Sequence, residues 1–303
     1  MKNHDNQLHG DIIFLVWSMF LKTARLTPQA LNVIKNKGTD IPNTGKYDHW
    51  SESGTYLCGQ CGIALFRSSH KFSSSCGWPS FDDELSSNIE KIPDADGVRQ
   101  EILCRRCHGH LGHIFYNEGF TKTNARYCVN SSSLDFTSDM DVLDTEEAIF
   151  AAGCFWGTEY LFQRLPGVVL TEVGYTGGFI PKPTYKQVCQ GNTGHVEAIR
   201  VVYDTSRLSC KDVAQYFFEI HDPTQTDGQG PDIGNQYMSV AFYYTNSQKA
   251  CLNELIHTLE QKGYDIATMV EPVAVFWPAE EYHQHYYIKN QQTPYCHKYQ
   301  KRF

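Results

Sequence analysis

The stretch at residues 148–165, AIFAAGCFWGTEYLFQRL, changes its periodicity halfway through. Its first six residues form a continuous apolar run, which is typical of a buried strand. The remainder predicts a helix whose inward-facing side chains are Phe155, Tyr160, Leu161 and Leu165. Cys154 stands at the switch, where the positive end of the helix dipole and free amide groups favour a thiolate. We therefore predict a strand followed by a helix that carries a reactive cysteine at its N-terminus.

Length and composition limit the number of domains and the class of protein. A chain of 303 residues with 20% charged and 13% aromatic residues is long enough for two globular domains. The net charge of −8 argues against an electrostatic nucleic-acid surface. Eleven cysteines are many, and their clustering indicates metal and redox chemistry rather than a disulfide scaffold.

The patterning predicts two unlike domains. After an extension at residues 1–25, residues 26–136 contain short strand-like runs between glycine-rich turns and indicate a mostly β domain. Residues 137–146 are polar and acidic and predict a linker. In residues 147–303 strand-like runs such as MVEPVAVFW alternate with helical runs such as AEEYHQHYYIK, which favours an α/β or α+β domain. The two halves share no visible repeat, so we interpret the chain as a fusion.

The extension contains one apolar run, Ile12–Leu21. Ten residues fall short of the ~18 that a membrane span needs. Asp5 and Asp11 are acidic where a signal peptide has a basic leader, and no small-residue cleavage site follows. We expect a helix packed on the first domain of a cytoplasmic protein without membrane contact, with export or membrane association as the alternative.

Two C-x-x-C pairs lie 42 residues apart in the first half. Four thiolates fill the tetrahedral shell of a structural Zn²⁺. The pattern therefore predicts a zinc site formed by Cys58, Cys61, Cys104 and Cys107. The alternative is a thioredoxin-like redox pair, which normally opens a helix in a βαβ unit, a context that neither pair has.

A further cysteine lies in the strand-like run ARYCVNSSSL. Alternation along a strand places Arg126, Cys128 and Asn130 on one face, where a guanidinium favours the thiolate by lowering the pKa of the thiol. The alternative interpretation of Cys128 is a core-filling cysteine. Upstream, His110 and His113 are candidates for binding an oxygen, or alternatively zinc. The turn-rich stretch CGWPSF adds a second thiol and an aromatic ring, Cys76 and Trp78.

In the second half the run GHVEAIRVVY places Glu197 on the same strand face as apolar side chains. Desolvation there raises the pKa of a carboxyl group, which suits a proton donor; the alternative is an edge-strand residue that reaches water. Weaker candidates nearby are Tyr185, Asp232 and Tyr237. Cys296 lies in a short polar tail that we expect to be mobile. We expect structural or incidental roles for Cys189, Cys210 and Cys251.

These motifs together resemble a known pair of enzyme families. From about Glu147 to the end, GCFWGTE, GYTGG, PTY, TGHVEA and GPDIGNQY resemble methionine sulfoxide reductase A. From about Leu26 to Phe136, GKYD, CGWPSF, HLGHIF and RYCVNS resemble methionine sulfoxide reductase B. The resemblance implies a mostly β, zinc-containing domain followed by an α+β domain built as a ferredoxin-like two-layer sandwich.

For the A-type half, the resemblance implies that Cys154 attacks the sulfoxide sulfur while Glu197 protonates the oxygen. It assigns the oxygen side to Tyr185 and Tyr237, with support from Asp232, and the methyl pocket to Phe155 and Trp156. The resulting sulfenic acid condenses with a second cysteine to form a disulfide. Cys296 matches the resolving position, and Cys189 is the alternative.

For the B-type half, the resemblance implies that Cys128 is the nucleophile and Cys76 its resolving partner. Trp78 packs on the methyl group, and the oxygen side is formed by His110, His113, Arg126 and Asn130. One active site for each sulfoxide epimer follows, acting on free or protein-bound methionine sulfoxide. Thioredoxin is the implied reductant, and no organic cofactor is needed.

Two other functions compete with this one. A zinc-stabilised redox-sensing or chaperone module predicts scattered exposed thiols without acid partners. A disulfide isomerase predicts a redox C-x-x-C pair on a helix.

Overall fold

The computed structural model describes residues 26–85, 88–138 and 142–303. The chain divides into two compact units, Met1–Thr145 and Glu146–Phe303. The extension at residues 1–25, with its apolar run, lies outside the described residues. Among the residues that are described, the helices are all too short or too polar to cross a membrane.

The first unit is mostly β, as the sequence predicts. Its one long helix in the described residues is α1 (Pro28–Asn36). The strands are β1 (Gly54–Cys58), β2 (Ala64–Arg67), β3 (Lys71–Phe72), β4 (Ser80–Phe81), β5 (Ile89–Pro93), β6 (Gln100–Cys104), β7 (His110–Tyr116), β8 (Ala125–Val129) and β9 (Leu134–Ser138). They form two antiparallel sheets with the strand orders β2-β1-β9 and β3-β4-β8-β7-β6-β5.

Local sequence explains how these elements begin and pack. Thr27 caps α1 by accepting a hydrogen bond from the amide of Ala30 (3.1 Å), and Pro28 occupies the first helical position. Between the sheets lies an aromatic core in which Phe66 and Phe81 stack with their ring centroids 4.2 Å apart. Burial of this apolar surface orients strands β4 and β8, which carry site residues.

The second unit mixes helices with a larger sheet. Its helices are α2 (Phe155–Phe162), α3 (Tyr185–Cys189), α4 (Cys210–Ile220), α5 (Asn246–Gln261) and α6 (Tyr286–Lys289). Its strands are β10 (Thr145–Ala152), β11 (Val168–Thr176), β12 (Val196–Asp204), β13 (Gly228–Gln229), β14 (Asp232–Ile233), β15 (Ser239–Tyr243), β16 (Met269–Pro272) and β17 (Trp277–Pro278). The sheet order is β16-β15-β10-β12-β11-β17, and β13 and β14 form a separate hairpin.

Both faces of the larger sheet are covered. On one face Phe150 stacks on Phe217 of α4 with centroids 4.6 Å apart, and α5 packs beside α4. On the other face Ile149 and Val240 pack with Phe276. Coverage on both faces explains the continuous apolar run of β10 and the complete burial of β12.

Three local predictions differ from the structure. Helix α2 ends at Phe162, so Leu165 lies beyond it, although Leu161 and Leu165 both pack on the core as predicted; Tyr160 is only half-buried. The predicted strand MVEPVAVFW forms only β16 and the separate short strand β17, and residues 273–276 between them lie in no strand. The predicted helix AEEYHQHYYIK is mostly turns, with helix only at α6.

Both ends of the acidic segment 137–146 lie in strands. Strand β9 continues to Ser138 and β10 begins at Thr145, while Val142 between them is buried. The Thr145 hydroxyl donates a 2.6 Å hydrogen bond to the Gly62 carbonyl within the first unit. Both ends of the predicted linker therefore belong to strands.

Candidate active sites and cysteine cluster

The two C-x-x-C pairs meet in the first unit. Cys58 ends β1 and Cys104 ends β6, and each pair closes through the following turn. The sulfurs of Cys58 and Cys107 are 3.6 Å apart, and those of Cys61 and Cys104 are 3.5 Å apart. All four thiols are buried, and their sulfurs lie within 4.8 Å of one another.

This geometry fits a tetrahedral zinc ion. Sulfurs bound at 2.3 Å in a tetrahedron are separated by about 3.8 Å, close to the two distances observed. Each pair follows a strand instead of opening a helix, which disagrees with the thioredoxin-like alternative. The donor set is therefore compatible with a closed structural zinc site.

A second cysteine pair lies on the neighbouring sheet of the first unit. Cys128 on β8 is paired with Ser80 of β4 and with His113 of β7. Its sulfur is 3.8 Å from that of Cys76, whose loop runs alongside. The Ser74 hydroxyl donates a hydrogen bond of 3.0 Å to Cys76 Sγ. The two thiols that the sequence separates by 52 positions are therefore in contact.

The charge distribution of this pair differs from the sequence prediction. Hydrogen bonding from Cys128, followed by the Ser74 and Ser80 hydroxyls, lowers the pKa of the Cys76 thiol to about 4 despite partial burial. The same contact with Cys76, together with burial, raises the pKa of Cys128. Arg126 favours the Cys128 thiolate, as expected, but it is outweighed. In the resting pair the negative charge is therefore on the more exposed sulfur.

The polar residues predicted around Cys128 are each held by a partner that the sequence did not reveal. Arg126 donates two hydrogen bonds, of 2.6 and 2.9 Å, to Glu118. Two further pairs are His110 with Glu101 at 2.7 Å and His113 with Asp94 at 2.6 Å. The acidic partners lie 8 to 19 positions away, and no motif indicates them.

Asp40 connects the remaining residues of this site. Its carbonyl accepts a 2.9 Å hydrogen bond from Trp78 Nε1, and its amide donates to Asn130 Oδ1, also at 2.9 Å. Its carboxylate accepts from the amide and hydroxyl of Ser132. One buried aspartate therefore fixes both the indole ring and the segment that follows Cys128.

In the second unit the predicted switch from strand to helix is confirmed, and Cys154 is the N-cap residue of α2. Gly153 precedes it with φ of +86°, and a Cβ there would lie 2.3 Å from the side chain of Gln229, so only glycine fits. The Cys154 thiol is 9% exposed, and the amides of Trp156 and Gly157 are directed at its sulfur.

Glu197 faces this thiol from the sheet. It lies on β12, an interior strand, and is 1% exposed, so it is not the water-reaching edge residue of the alternative interpretation. Its Oε2 accepts a 3.0 Å hydrogen bond from the Phe155 amide, whereas Oε1 has no hydrogen-bond partner among the described residues. Burial is the largest cause that raises the pKa of Glu197 well above its usual range. A carboxyl group in this setting is protonated near neutral pH.

The pKa of Cys154 is raised rather than lowered. Contact with Cys296 is the largest cause, and burial is the second. The amides at the start of α2 do lower it, as the sequence predicted, but they do not outweigh the neighbouring sulfur. Resting Cys154 is therefore a thiol.

Aromatic side chains enclose the same region. Trp156 stacks on Tyr286 with centroids 3.7 Å apart and donates a 2.9 Å hydrogen bond to His283 Nδ1. The Tyr185 ring lies 4.4 Å from that of His283, and its amide donates to Glu280 Oε1. The half-buried Tyr237 is close enough for Glu197 to raise its pKa, after burial.

Several other residues of this site were not predicted from the sequence. Tyr175 is buried and donates a 2.9 Å hydrogen bond from its hydroxyl to Glu280 Oε2. Glu280, His283 and Tyr286 come from a run that the periodicity presented as an ordinary helix. The high content of acidic and aromatic side chains in that run was the available signal.

The tail that carries Cys296 differs from its prediction. The sulfurs of Cys154 and Cys296 and a carboxylate oxygen of Asp232 lie within 4.8 Å of one another. Beyond Cys296, the Gln300 amide donates to the Glu219 carbonyl at 2.7 Å, so a tail that the sequence predicted to be mobile is anchored. The Arg302 guanidinium adds hydrogen bonds to the carbonyl oxygens of Phe218 (2.9 Å) and His221 (3.0 Å).

The other cysteines of this unit are also placed. Cys189 is exposed at the end of α3 beside Tyr185. Cys210 on α4 and Cys251 on α5 are half-buried neighbours.

One buried carboxyl group lies outside the thiol cluster. Glu159 of α2 is 1% exposed and accepts hydrogen bonds from the His285 amide (2.7 Å) and the Thr171 hydroxyl (3.2 Å). Burial raises the pKa of Glu159 to about 7.

Comparison with known proteins identifies this arrangement. Residues 146–303 match the family model described as peptide methionine sulfoxide reductase. The chain belongs to this family. Residues 26–138 match the model of the SelR domain, the B-type methionine sulfoxide reductase domain. The predicted order of a B-type domain followed by an A-type domain is confirmed, and the chain is a methionine sulfoxide reductase.

Relatives and a solved structure agree with the assignment of the second unit. The MsrA of Methanosarcina acetivorans is 46% identical over 176 residues, which cover 57% of this chain and 93% of that protein. The MsrA of Methanosarcina mazei is 49% identical over 147 residues, or 48% of this chain and 70% of that protein. Reduced Mxr1 from Saccharomyces cerevisiae superposes with a TM-score of 0.50 at 35% identity, covering 55% of this chain and 96% of that one.

Proposed function

We propose that the two units divide the sulfoxide epimers between them. The second unit reduces the S epimer through Cys154, and the first reduces the R epimer through Cys128. The observation that carries this proposal is that each cysteine is paired with a second thiol, within 4.8 Å in one unit and at 3.8 Å in the other. The sulfoxide sulfur is chiral, so a site that positions methyl, oxygen and thiol for one epimer misplaces a group of the other.

At the A-type site, Cys154 Sγ attacks the sulfoxide sulfur while protonated Glu197 donates to the departing oxygen. The thiol proton replaces the one that Glu197 gives up, so the step consumes no net proton. Methionine leaves, and the oxygen remains on Cys154 as a sulfenic acid. Tyr185 and Tyr237 orient the oxygen, Asp232 supports the site, and Phe155 and Trp156 hold the methyl group. Cys296 then displaces water and forms a disulfide with Cys154.

At the B-type site, Cys128 attacks and Cys76 resolves. Trp78, fixed by its hydrogen bond to Asp40, packs on the methyl group. The oxygen side is formed by the polar residues around Cys128, namely His110, His113, Arg126 and Asn130. The low pKa of Cys76 suits a thiolate that attacks a neighbouring sulfenic acid.

Two further parts complete the proposal. Thioredoxin, as the dithiol reductant, restores both disulfides by thiol exchange. Zn²⁺ held by Cys58, Cys61, Cys104 and Cys107 ties two loops of the first unit together and takes no part in the redox steps.

The proposal also extends to architecture. We assign residues 26–136 to the B-type domain, 137–146 to the connection and 147–303 to the A-type domain. The A-type domain fits a ferredoxin-like two-layer sandwich, because α4 and α5 pack on one face of its sheet.

The test uses the full chain with resolved epimers of a methionine sulfoxide peptide and a thioredoxin, thioredoxin reductase and NADPH system. Cys154→Ser should abolish oxidation of NADPH with the S epimer and retain it with the R epimer, and Cys128→Ser should do the reverse. Cys210→Ser, which alters a thiol outside both pairs, serves as the matched control and should retain both activities. Loss of both activities in either single variant would contradict the division of labour.

A further inference from the structure

His297, which follows Cys296 directly, is buried at the base of α2. Its Nδ1 lies 3.0 Å from Cys296 Sγ. Its Nε2 lies 2.6 Å from the carbonyl oxygen of Ala152 and 3.2 Å from the hydroxyl of Thr158. The imidazole ring thus bridges the second thiol and the backbone that carries Cys154.

These contacts define which ring nitrogen carries the proton. A carbonyl oxygen can only accept, so Nε2 must be the donor to Ala152. The Thr158 hydroxyl donates its own hydrogen to the Cys154 carbonyl at 3.2 Å, which leaves its oxygen as an acceptor for Nε2 as well. In the neutral ring Nδ1 is therefore unprotonated, and its lone pair is directed at the Cys296 thiol.

The ring is also kept neutral and in position. Burial lowers the pKa of His297, partly offset by the Ala152 carbonyl and the charge of Asp232. The other titratable groups that face it are His221 and the two thiols Cys154 and Cys296. A Cβ at Gly157 would lie 2.3 Å from Nδ1, so the small residue at this turn of α2 provides the space that the ring fills.

We propose that His297 is the general base that activates Cys296 for disulfide formation. This inference rests on the proposed resolving role of Cys296. As the sulfur of Cys296 attacks the sulfenic sulfur of Cys154, the S–H bond breaks and its proton moves to Nδ1. The S–S bond forms, the S–O bond of the sulfenic acid breaks, and the leaving hydroxide takes the proton from Nδ1 as water. No external oxidant or reductant enters this step.

The experiment separates methionine release from disulfide formation. Reduced full-length protein is mixed with one equivalent of the S epimer and quenched, and methionine, sulfenic acid and disulfide are quantified by mass spectrometry. In His297→Gln the amide nitrogen can still donate to Ala152, but the base is lost. Methionine release should stay within about threefold of wild type, while disulfide formation slows by roughly 10²-fold, the lower limit for a lost general base.

The pH profile distinguishes a base from a structural residue. In wild type the disulfide-forming rate should be flat from pH 7 to 9, because His297 is already neutral there. In His297→Gln it should rise about tenfold per pH unit, because the thiolate must then form by solvent deprotonation. In His297→Ala, added imidazole should restore the rate in proportion to its concentration, whereas a structural defect gives no such response.

The outcomes separate this inference from the proposed function. Cys296→Ser should release methionine and accumulate the Cys154 sulfenic acid. If that variant instead forms an intramolecular disulfide at the wild-type rate, with Cys189 as the new partner, the resolving role of Cys296 is wrong. If Cys296→Ser accumulates the sulfenic acid but His297→Gln forms the disulfide at the wild-type rate, the resolving role holds and the base is refuted. An unchanged pH profile in a slow His297→Gln variant refutes it equally.

Discussion

Replacing Glu197 with glutamine tests the chemistry of the A-type site most directly. The substitution keeps the shape of the side chain, and the amide oxygen can still accept the 3.0 Å hydrogen bond from Phe155. What it removes is the proton that the raised pKa of Glu197 retains near neutral pH. The neighbouring buried helix N-terminus should therefore persist, and the chemical step alone should change.

The expected loss follows from the role of the proton. Without a donor, the sulfoxide oxygen departs as a more basic species, and general acid catalysis typically contributes about 10²–10⁴-fold. This loss corresponds to about 3–5 kcal/mol of activation free energy. Since Glu197 is almost completely buried, water does not replace the lost acid easily, which favours the upper half of this range.

The assay is single-turnover release of methionine from the S epimer by reduced enzyme without thioredoxin. In wild type the rate should fall as pH rises through the raised pKa of Glu197, because only the protonated acid donates. The variant should lose that descending limb and react slowly at every pH. Glu159→Gln is the matched control, since it alters an equally buried carboxyl group away from the thiols and should stay within about threefold of wild type.

Two results would refute this reasoning. A Glu197→Gln rate within tenfold of wild type would show that the proton comes from elsewhere. An equal loss in Glu159→Gln would show that removal of a buried carboxyl group disturbs α2 as a whole.

Two further predictions concern stability. Metal analysis should find one zinc per chain. Cys104→Ser should lose the zinc and unfold the first unit while S-epimer reduction persists, because the free energy of metal binding contributes to folding. Active wild-type protein without zinc would contradict this prediction. Glu159→Gln should stabilise the second unit, and its gain in unfolding free energy by urea should be about 2 kcal/mol larger at pH 8 than at pH 5. The sign follows because the pKa of Glu159 rises from 4.5 to about 7 on folding, so wild type loses stability as pH rises through that interval. An equal gain at both pH values would contradict the buried ionisation.

The parts of the fold that sequence reasoning predicted are those set by local pattern. The strand and helix around Cys154 follow from a change in hydrophobic period and from Gly153, whose positive φ lies at the turn between them. The zinc ligands follow from paired C-x-x-C spacing, because two such pairs have few ways to satisfy four thiolates. Both signals lie within short windows of the chain.

The parts that were missed depend on long-range contacts. Asp40 anchors Trp78 and Asn130 across 38 and 90 positions, and the sequence around Asp40 does not reveal these two partners. The tail is anchored by a hydrogen bond to the Glu219 carbonyl and by hydrogen bonds from the Arg302 guanidinium to Phe218 and His221, all of them more than 80 positions upstream. Polar sequence predicted mobility there, whereas tertiary hydrogen bonding determined the order.

The pKa predictions failed for one physical reason in both units. Each nucleophile was judged by its own local environment, a helix N-terminus for Cys154 and a nearby guanidinium for Cys128. In both cases the largest influence is the hydrogen bond with the partner sulfur, which raises the pKa of the nucleophile. The identity of the partner depends on the tertiary structure, so reasoning from the local sequence gave the wrong direction for the pKa shifts of both cysteines.

This shared feature has a consequence for the catalytic cycle. The closeness of Cys296 that permits rapid disulfide formation also keeps resting Cys154 protonated. On the proposed mechanism, a sulfoxide bound between the two sulfurs would separate Cys154 from Cys296 and present its oxygen to Glu197. We therefore predict that Cys154 becomes reactive only when substrate is bound, which would protect the thiol from adventitious oxidation. The expected signature is slow formation of the Cys154–Cys296 disulfide after peroxide alone, compared with formation after the sulfoxide.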